Sequence, residues 1–298
     1  MTAPNSSIGL DDWIIRHLPG ISYFCENDER YTMRFLCGGS GHDFGYDLQG
    51  FVDNKHYFAA SVVHPHDLDL VDEFAELMVA HPRPVAARYR LVRSEGREVP
   101  ILITARAVRS HRGEVLGFAG FIIDIGGIPD LQGPAGILTD LKIPGEDVAP
   151  TVDGRPDTIT PQWLLPQLPI VSYATTDDEH YTPVYISASL KHELGYDITR
   201  FLEKPGYSIA SVVYPSDVDM TDKLMEQAAA VEGREMWVRV RLVHESGDSV
   251  QALCGQRGAR HTAFPGGRGL VGAAVYLHDL PVLHGKSKVL AVREPEAV

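Results

Sequence analysis

The sequence predicts an α+β protein built from two successive copies of one domain, each a five-stranded antiparallel sheet with its helices gathered on one face. Three observations carry that expectation. A long pattern of residues recurs about 150 positions further on. Each copy holds β-rich runs at both ends and an amphipathic helix between them. The segment joining the copies is rich in Gly, Pro and Asp, a composition that favours an irregular connection. A chain of 298 residues is also comfortable for two domains, each long enough to bury its own core.

The repeat is explicit at the residue level. Trp13, Leu18, Pro19, Ser22 and Tyr23 recur as Trp163, Leu168, Pro169, Ser172 and Tyr173. Asp28, Glu29, Tyr31 and Thr32 recur as Asp178, Glu179, Tyr181 and Thr182, and His42, Gly45, Tyr46 and Asp47 as His192, Gly195, Tyr196 and Asp197. Pro65, Asp67 and Asp69 recur as Pro215, Asp217 and Asp219. The register then slips by one, so that Arg90-Leu91-Val92 matches Arg241-Leu242-Val243. A longer hairpin in the second copy is expected to shift it again, matching Gly117 and Asp124 with Gly272 and Asp279. The domains therefore span 13–126 and 163–280, with a tail at 1–12, a linker at 127–162 and a second tail at 281–298. Within the linker, 137–143 is apolar enough to lie along a domain surface, and the second tail reads as disordered or as a short docking segment.

The elements follow in order. Ile21–Cys25 and Tyr31–Cys37 flank the polar turn Glu26-Asn27-Asp28-Glu29 and read as a hairpin. Gly45-Tyr46-Asp47 reads as a turn needing positive φ at the glycine, and 53–62 as a short helix. From His66 to Ala80, the residues Leu70, Val71, Phe74, Leu77 and Met78 recur at helical spacing and give one buried face. In the second copy Ser216 and Asp219 form a candidate capping pair for that helix. Ala87, Tyr89 and Leu91 alternate with Arg88 and Arg90, as in a half-buried strand. Val99–Val108 and Val115–Ile125 are apolar at nearly every position, which predicts strands covered on both faces.

With these elements placed, the landmarks resemble a branch of the PAS domain family: LPGISY opening the first strand, FGYD after the second, HPHD at the long helix, YRLVRSEG in the central strand and GFAGFIIDI in the last. The second copy shows LPIVSY, LGYD, YPSD, VRLVHESG and GAAVYLHDL. That resemblance implies a sensory or interaction module, without fixing its task.

Charge and composition exclude several classes. A net charge of −13 with no basic run argues against nucleic acid and against anionic membrane surfaces. No window reaches the length of a membrane span, and the N-terminus lacks the pattern of a signal peptide. Cys25, Cys37 and Cys254 cannot all pair, and Cys25 and Cys37 are expected too far apart along the hairpin to bridge, so a reducing, cytoplasmic setting is expected.

No catalytic constellation is present, and Gly38-Gly39-x-Gly41 lacks the helix a phosphate loop requires. The candidate ligand residues are the aromatics Tyr23, Phe35, Phe74, Phe118 and Phe121, expected to line an interior between helices and sheet. Smaller side chains at Ala273, Ala274 and Val275 are expected to leave more room in the second copy. The leading expectation is a sensor or adaptor that binds a small apolar ligand or a protein partner, with its output in trans. It is expected to homodimerise so as to cover the outer faces of its last two strands. The alternative is a haem- or flavin-binding protein, sensor or enzyme, with the cofactor in the first domain and His64 or His66 as metal or haem ligand. Against it, His-Pro-x-Asp is a common helix start in the PAS branch, and haem-binding relatives place their ligand deeper in that helix.

Overall fold

The computed structural model describes residues 9–39, 44–139, 151–203, 207–277, 280, 283–284 and 286–295. The first copy runs α1 (Leu10–His17), β1 (Ile21–Cys25), β2 (Met33–Gly38), α2 (Leu68–Ala80), β3 (Val85–Val92), β4 (Glu98–Ser110) and β5 (Val115–Asp124). Its sheet has the order β2-β1-β5-β4-β3, antiparallel throughout. The linker extends it: β6 (Gly136–Ile137) pairs with β3, and β7 (Thr151–Val152) runs parallel to β4. The apolar stretch expected to lie along a surface does so as far as Thr139, beyond which it passes outside the described residues.

The second copy runs α3 (Pro161–Leu164), β8 (Val171–Thr176), β9 (Pro183–Ile186), α4 (Ser189–Leu194), α5 (Thr199–Leu202), α6 (Val218–Ala230), β10 (Glu235–Val243), β11 (Ser249–Arg260) and β12 (Arg268–Tyr276). The C-terminal tail docks as β13 (Lys288–Arg293) on the edge of β10, giving the order β13-β10-β11-β12-β8-β9.

Local chemistry explains the shared turns. In the first hairpin, the Asp28 carboxylate accepts the amides of Arg30 and Thr32; Asp178 does the same for His180 and Thr182. These contacts hold Tyr31 and Tyr181 in the left-handed region, at φ 49° and 47°. Gly45 and Gly195 both sit at φ 78°, as the turn reading requires. The helix expected over 53–62 is not formed. Asp53 and Asn54 adopt φ 58° and 54°, which breaks it, and only a 3₁₀ turn remains at Ala59–Val62. Nor does Ser216 cap α6. Its hydroxyl instead donates to Asp217 and accepts from Arg241.

The expectation of doubly covered strands holds, and the second cover is the other domain. On β4 the inner face carries Val99, Ile101, Ile103 and Ala105, packed beneath α2, while Leu102 and Val108 face the opposite way. From the first sheet, Phe24, Leu102, Phe121 and Ile123 meet Trp237, Leu253, Val271 and Val275 from the second in one continuous core. The two sheets thus pack outer face to outer face. Homodimerisation was expected because those faces need cover, and the chain supplies that cover itself.

The repeated tryptophans cross between domains. Trp13 on α1 lies 4.6 Å from the His261 ring and edge-on to Phe264 at 5.5 Å, both in the β11–β12 hairpin. Trp163 on α3 stands edge-on to Phe24 of β1 at 5.2 Å. Arg106, 4% exposed on β4, donates to the carbonyls of Gln167 and Leu168 at 3.0 and 2.7 Å, immediately before β8.

Candidate functional site

Between sheet and helices, domain 1 encloses a cavity of about 100 Å³. Its floor is the inner face of the sheet, with residues from all of β1–β5, and its roof is α2 with the segments leading into it. Tyr23 projects inward from β1, and its ring lies over Gly120 on the neighbouring strand, where a Cβ would collide with it. Tyr23, Phe74 and Phe118 line this space, together with Tyr89, Cys25 and Met33. Burial raises the Tyr23 and Tyr89 phenols and the Cys25 thiol well above their ordinary values, so all three are neutral. A neutral buried thiol is a packing group rather than a nucleophile.

Phe35 and Phe121 do not line the cavity. Phe121 lies on the outer face of β5 at 0% exposure, and Phe35 packs against the shared core opposite Phe24. Strand parity is the reason: Phe118 and Phe121 are an odd number of residues apart and must face opposite ways.

Domain 2 holds a smaller cavity, about 50 Å³, not the larger one expected. Ala273 and Val275 face the other domain, leaving only Ala274 of the three turned inward, where Tyr276 and Gln256 take up space. The strand equivalence also differs from expectation. Gly120 lies opposite Tyr23 and Gly272 opposite Tyr173, so Gly272 answers to Gly120 rather than Gly117. Correspondingly, Gln256 pairs with Gly272 where Ala105 pairs with Gly120.

Gln256 is a cavity-lining residue that the sequence pattern does not single out, because Gln251 and Arg257 stand on the same strand and only the fold shows which amide is buried. It is 3% exposed, and its Oε1 accepts from the Tyr173 hydroxyl at 3.5 Å. Among the described residues its Nε2 has no hydrogen-bond partner, and an unpaired amide hydrogen costs about 1–3 kcal/mol in a protein interior.

His64 and His66 lie outside both cavities. The His64 Nδ1 accepts the His66 amide at 3.2 Å, capping the 3₁₀ turn Pro65–Asp67, and its Nε2 sits 3.1 Å from Glu98. Both ring nitrogens are therefore engaged, leaving no lone pair for iron, and His66 is exposed. Among the described residues no cluster of three or more His, Cys, Asp or Glu side chains is placed to hold a metal. His42 lies outside the described residues.

Next to His64, buried Asp67 accepts from the Arg90 amide, Nε and Nη2 at 2.9, 3.0 and 2.8 Å. In domain 2 Asp217 pairs with Arg241, whose guanidinium lies 4.4 Å from the Tyr214 ring centre. Tyr214 thus stands where His64 stands in domain 1.

Residues 39–122 match the family described as PAS fold. No curated protein matches the chain. Similar solved structures include the N-terminal domain of a diguanylate cyclase with PAS/PAC sensor from Marinobacter aquaeolei, 22% identical over 36% of this chain and 95% of that one, TM-score 0.31. An RNA-binding light-oxygen-voltage receptor is 12% identical over 88% of this chain and 97% of that one, TM-score 0.33. A PAS domain from Colwellia psychrerythraea is 12% identical over 38% of this chain and 92% of that one, TM-score 0.33.

Proposed function

We propose that this chain, a tandem of two PAS-type domains, is a cytoplasmic sensory module whose first domain holds a small, mostly apolar ligand and whose output passes to an effector protein in trans. The observation that carries the reading is the apolar cavity of about 100 Å³ in domain 1. Protein interiors rarely leave voids larger than a water molecule. An engineered apolar cavity of about 150 Å³ stays dry and binds benzene. A molecule of a few carbon atoms, up to one small ring, suits this volume and lining. Haem and flavin do not, since pockets for larger ligands run to roughly 300 Å³ and above.

The route out follows from strand parity. Ile122 of β5 touches the cavity, while its neighbours Phe121 and Ile123 belong to the core shared with domain 2. A ligand that displaces β5 therefore acts on the second sheet. The unpaired state of Cys25, Cys37 and Cys254 supports a reducing compartment. Association with a second copy would need a surface other than the two sheet faces already joined.

Toluene and the variant Ala75→Leu test the reading, because Ala75 lines the cavity from α2. At about ten times its Kd, toluene should stabilise the wild-type chain by about 1.4 kcal/mol, raising Tm by a few degrees. Ala75→Leu should lose that increment while remaining folded. No shift in the wild type, or an equal shift in the variant, overturns the proposal.

A further inference from the structure

We infer that domain 2 is a second and chemically different site, taking a small neutral molecule with a hydrogen-bond acceptor, of the ketone, aldehyde or amide class, held by the Gln256 side chain. The inference rests on the reading of these cavities as ligand sites, and it assigns a class of occupant to the second one.

The argument starts from the orphaned amide. Gln256 sits on the inner face of β11 opposite Gly272, whose missing side chain makes room for the Tyr173 ring, and it lines the 50 Å³ cavity. In the structure the Gln256 amide turns its oxygen toward the Tyr173 hydroxyl. Burial keeps the Tyr173 phenol protonated, and its proton is directed to the Gln256 Oε1. With Oε1 so used, the two hydrogens of Nε2 are presented without an acceptor among the described residues. Domain 1 has Ala105 at the same place in the sheet, so its cavity offers no such donor.

Charge selects the occupant further. Among the described residues no Lys, Arg or His lines the cavity, so there a carboxylate or phosphate would be buried without a counter-charge. A neutral acceptor avoids that cost. The volume admits a molecule of a few heavy atoms, with apolar Val171, Leu190 and Met225 around the part that carries no polar atom. A trapped water is the competing occupant, and experiment separates the two.

The full-length, ¹⁵N-labelled chain is titrated with acetone and, separately, with isobutene, which has the same shape without the acceptor. Acetone should move the Gln256 side-chain amide signals saturably at millimolar concentration, while isobutene should not. Gln256→Met, which keeps the length and bulk of the side chain, should weaken acetone binding by roughly tenfold or more. Tyr173→Phe releases Oε1 and should weaken it less. An unmoved Gln256 signal, meaning that the cavity keeps its water, overturns the inference. So does an equal response to isobutene, or undiminished acetone binding by Gln256→Met. Toluene binding is read in the same spectra at amides beside Tyr23 and Phe118, so failure in domain 1 is distinguishable from failure in domain 2.

Discussion

Asp67 and Asp217 stand under equivalent helices at 4% and 3% exposure, each gripped by an arginine from the strand that follows the helix, Arg90 of β3 or Arg241 of β10. Hydrogen bonds from Arg241, joined by those from the Ser287 amide and hydroxyl, hold the Asp217 carboxyl well below its usual range. Arg90 acts likewise on Asp67. A depressed folded-state pKa gives stability that is full above the unfolded value, about 3.9 for Asp, and is lost as pH falls through the folded value. Melting temperature should therefore fall below about pH 4. Asp217→Asn should cost about 3 kcal/mol at neutral pH and flatten that acid-side decline. An unchanged pH profile in the variant would show that the pair contributes nothing through its charge. The sequence displayed both aspartates in a repeated Pro-x-Asp motif, but not their arginine partners, which come from a strand more than twenty residues away. The same distance hid the role of His64. A His-Pro-His-Asp run resembles a ligand set until Glu98 and the His66 amide are seen to occupy both ring nitrogens.

Element existence was legible wherever one periodicity dominated. The long helix and the half-buried β3 both lie where alternation placed them. The last strands were legible as doubly buried, but not as to which residue faces which way. A run that is apolar at every position carries no parity signal, which is why the sequence places Phe121, Ala273 and Val275 at the cavity while in the structure they face the other domain. The register of β5 against β1 settles the matter through Gly120, over which the Tyr23 ring lies. Gly120→Ala should then destabilise by about 1–3 kcal/mol, the usual cost of overpacking. Its backbone is unstrained, so the cost comes from the collision with Tyr23. Combining it with Tyr23→Leu should be less than additive, since the smaller side chain removes the obstacle. Strict additivity in chemical denaturation would place the cost elsewhere.

At the scale of the whole molecule, composition suggests two independent domains, and the structure joins them into one. Each half contains a complete sheet and helix set, which is why 1–126 and 155–298 read as self-sufficient. What the sequence does not display is that the outer sheet faces are each other's cover. Phe24, Phe121 and Trp237 are all at 0% exposure in the core that the two sheets form together. The repeated helices reinforce this reciprocally, α1 reaching the β11–β12 hairpin and α3 reaching β1. Polar contacts close the rim, with Arg293 of β13 bonded to the Asp124 carbonyl at 2.5 Å and Lys288 to Asp130 at 2.9 Å. Excision of either half exposes a contiguous apolar face of the kind that drives association. Fragments 1–126 and 155–298, expressed separately, should therefore self-associate in a concentration-dependent way in sedimentation velocity. Mixed in equal amounts, they should form a 1:1 complex that displaces the self-associated forms, because only the partner face matches Trp237 and the Arg106 contacts. The intact chain should melt in a single transition, since unfolding one domain removes the cover from the other. Monomeric fragments that keep the melting temperature of the intact chain would show that the shared core adds no stability, and would return the molecule to two domains on a string.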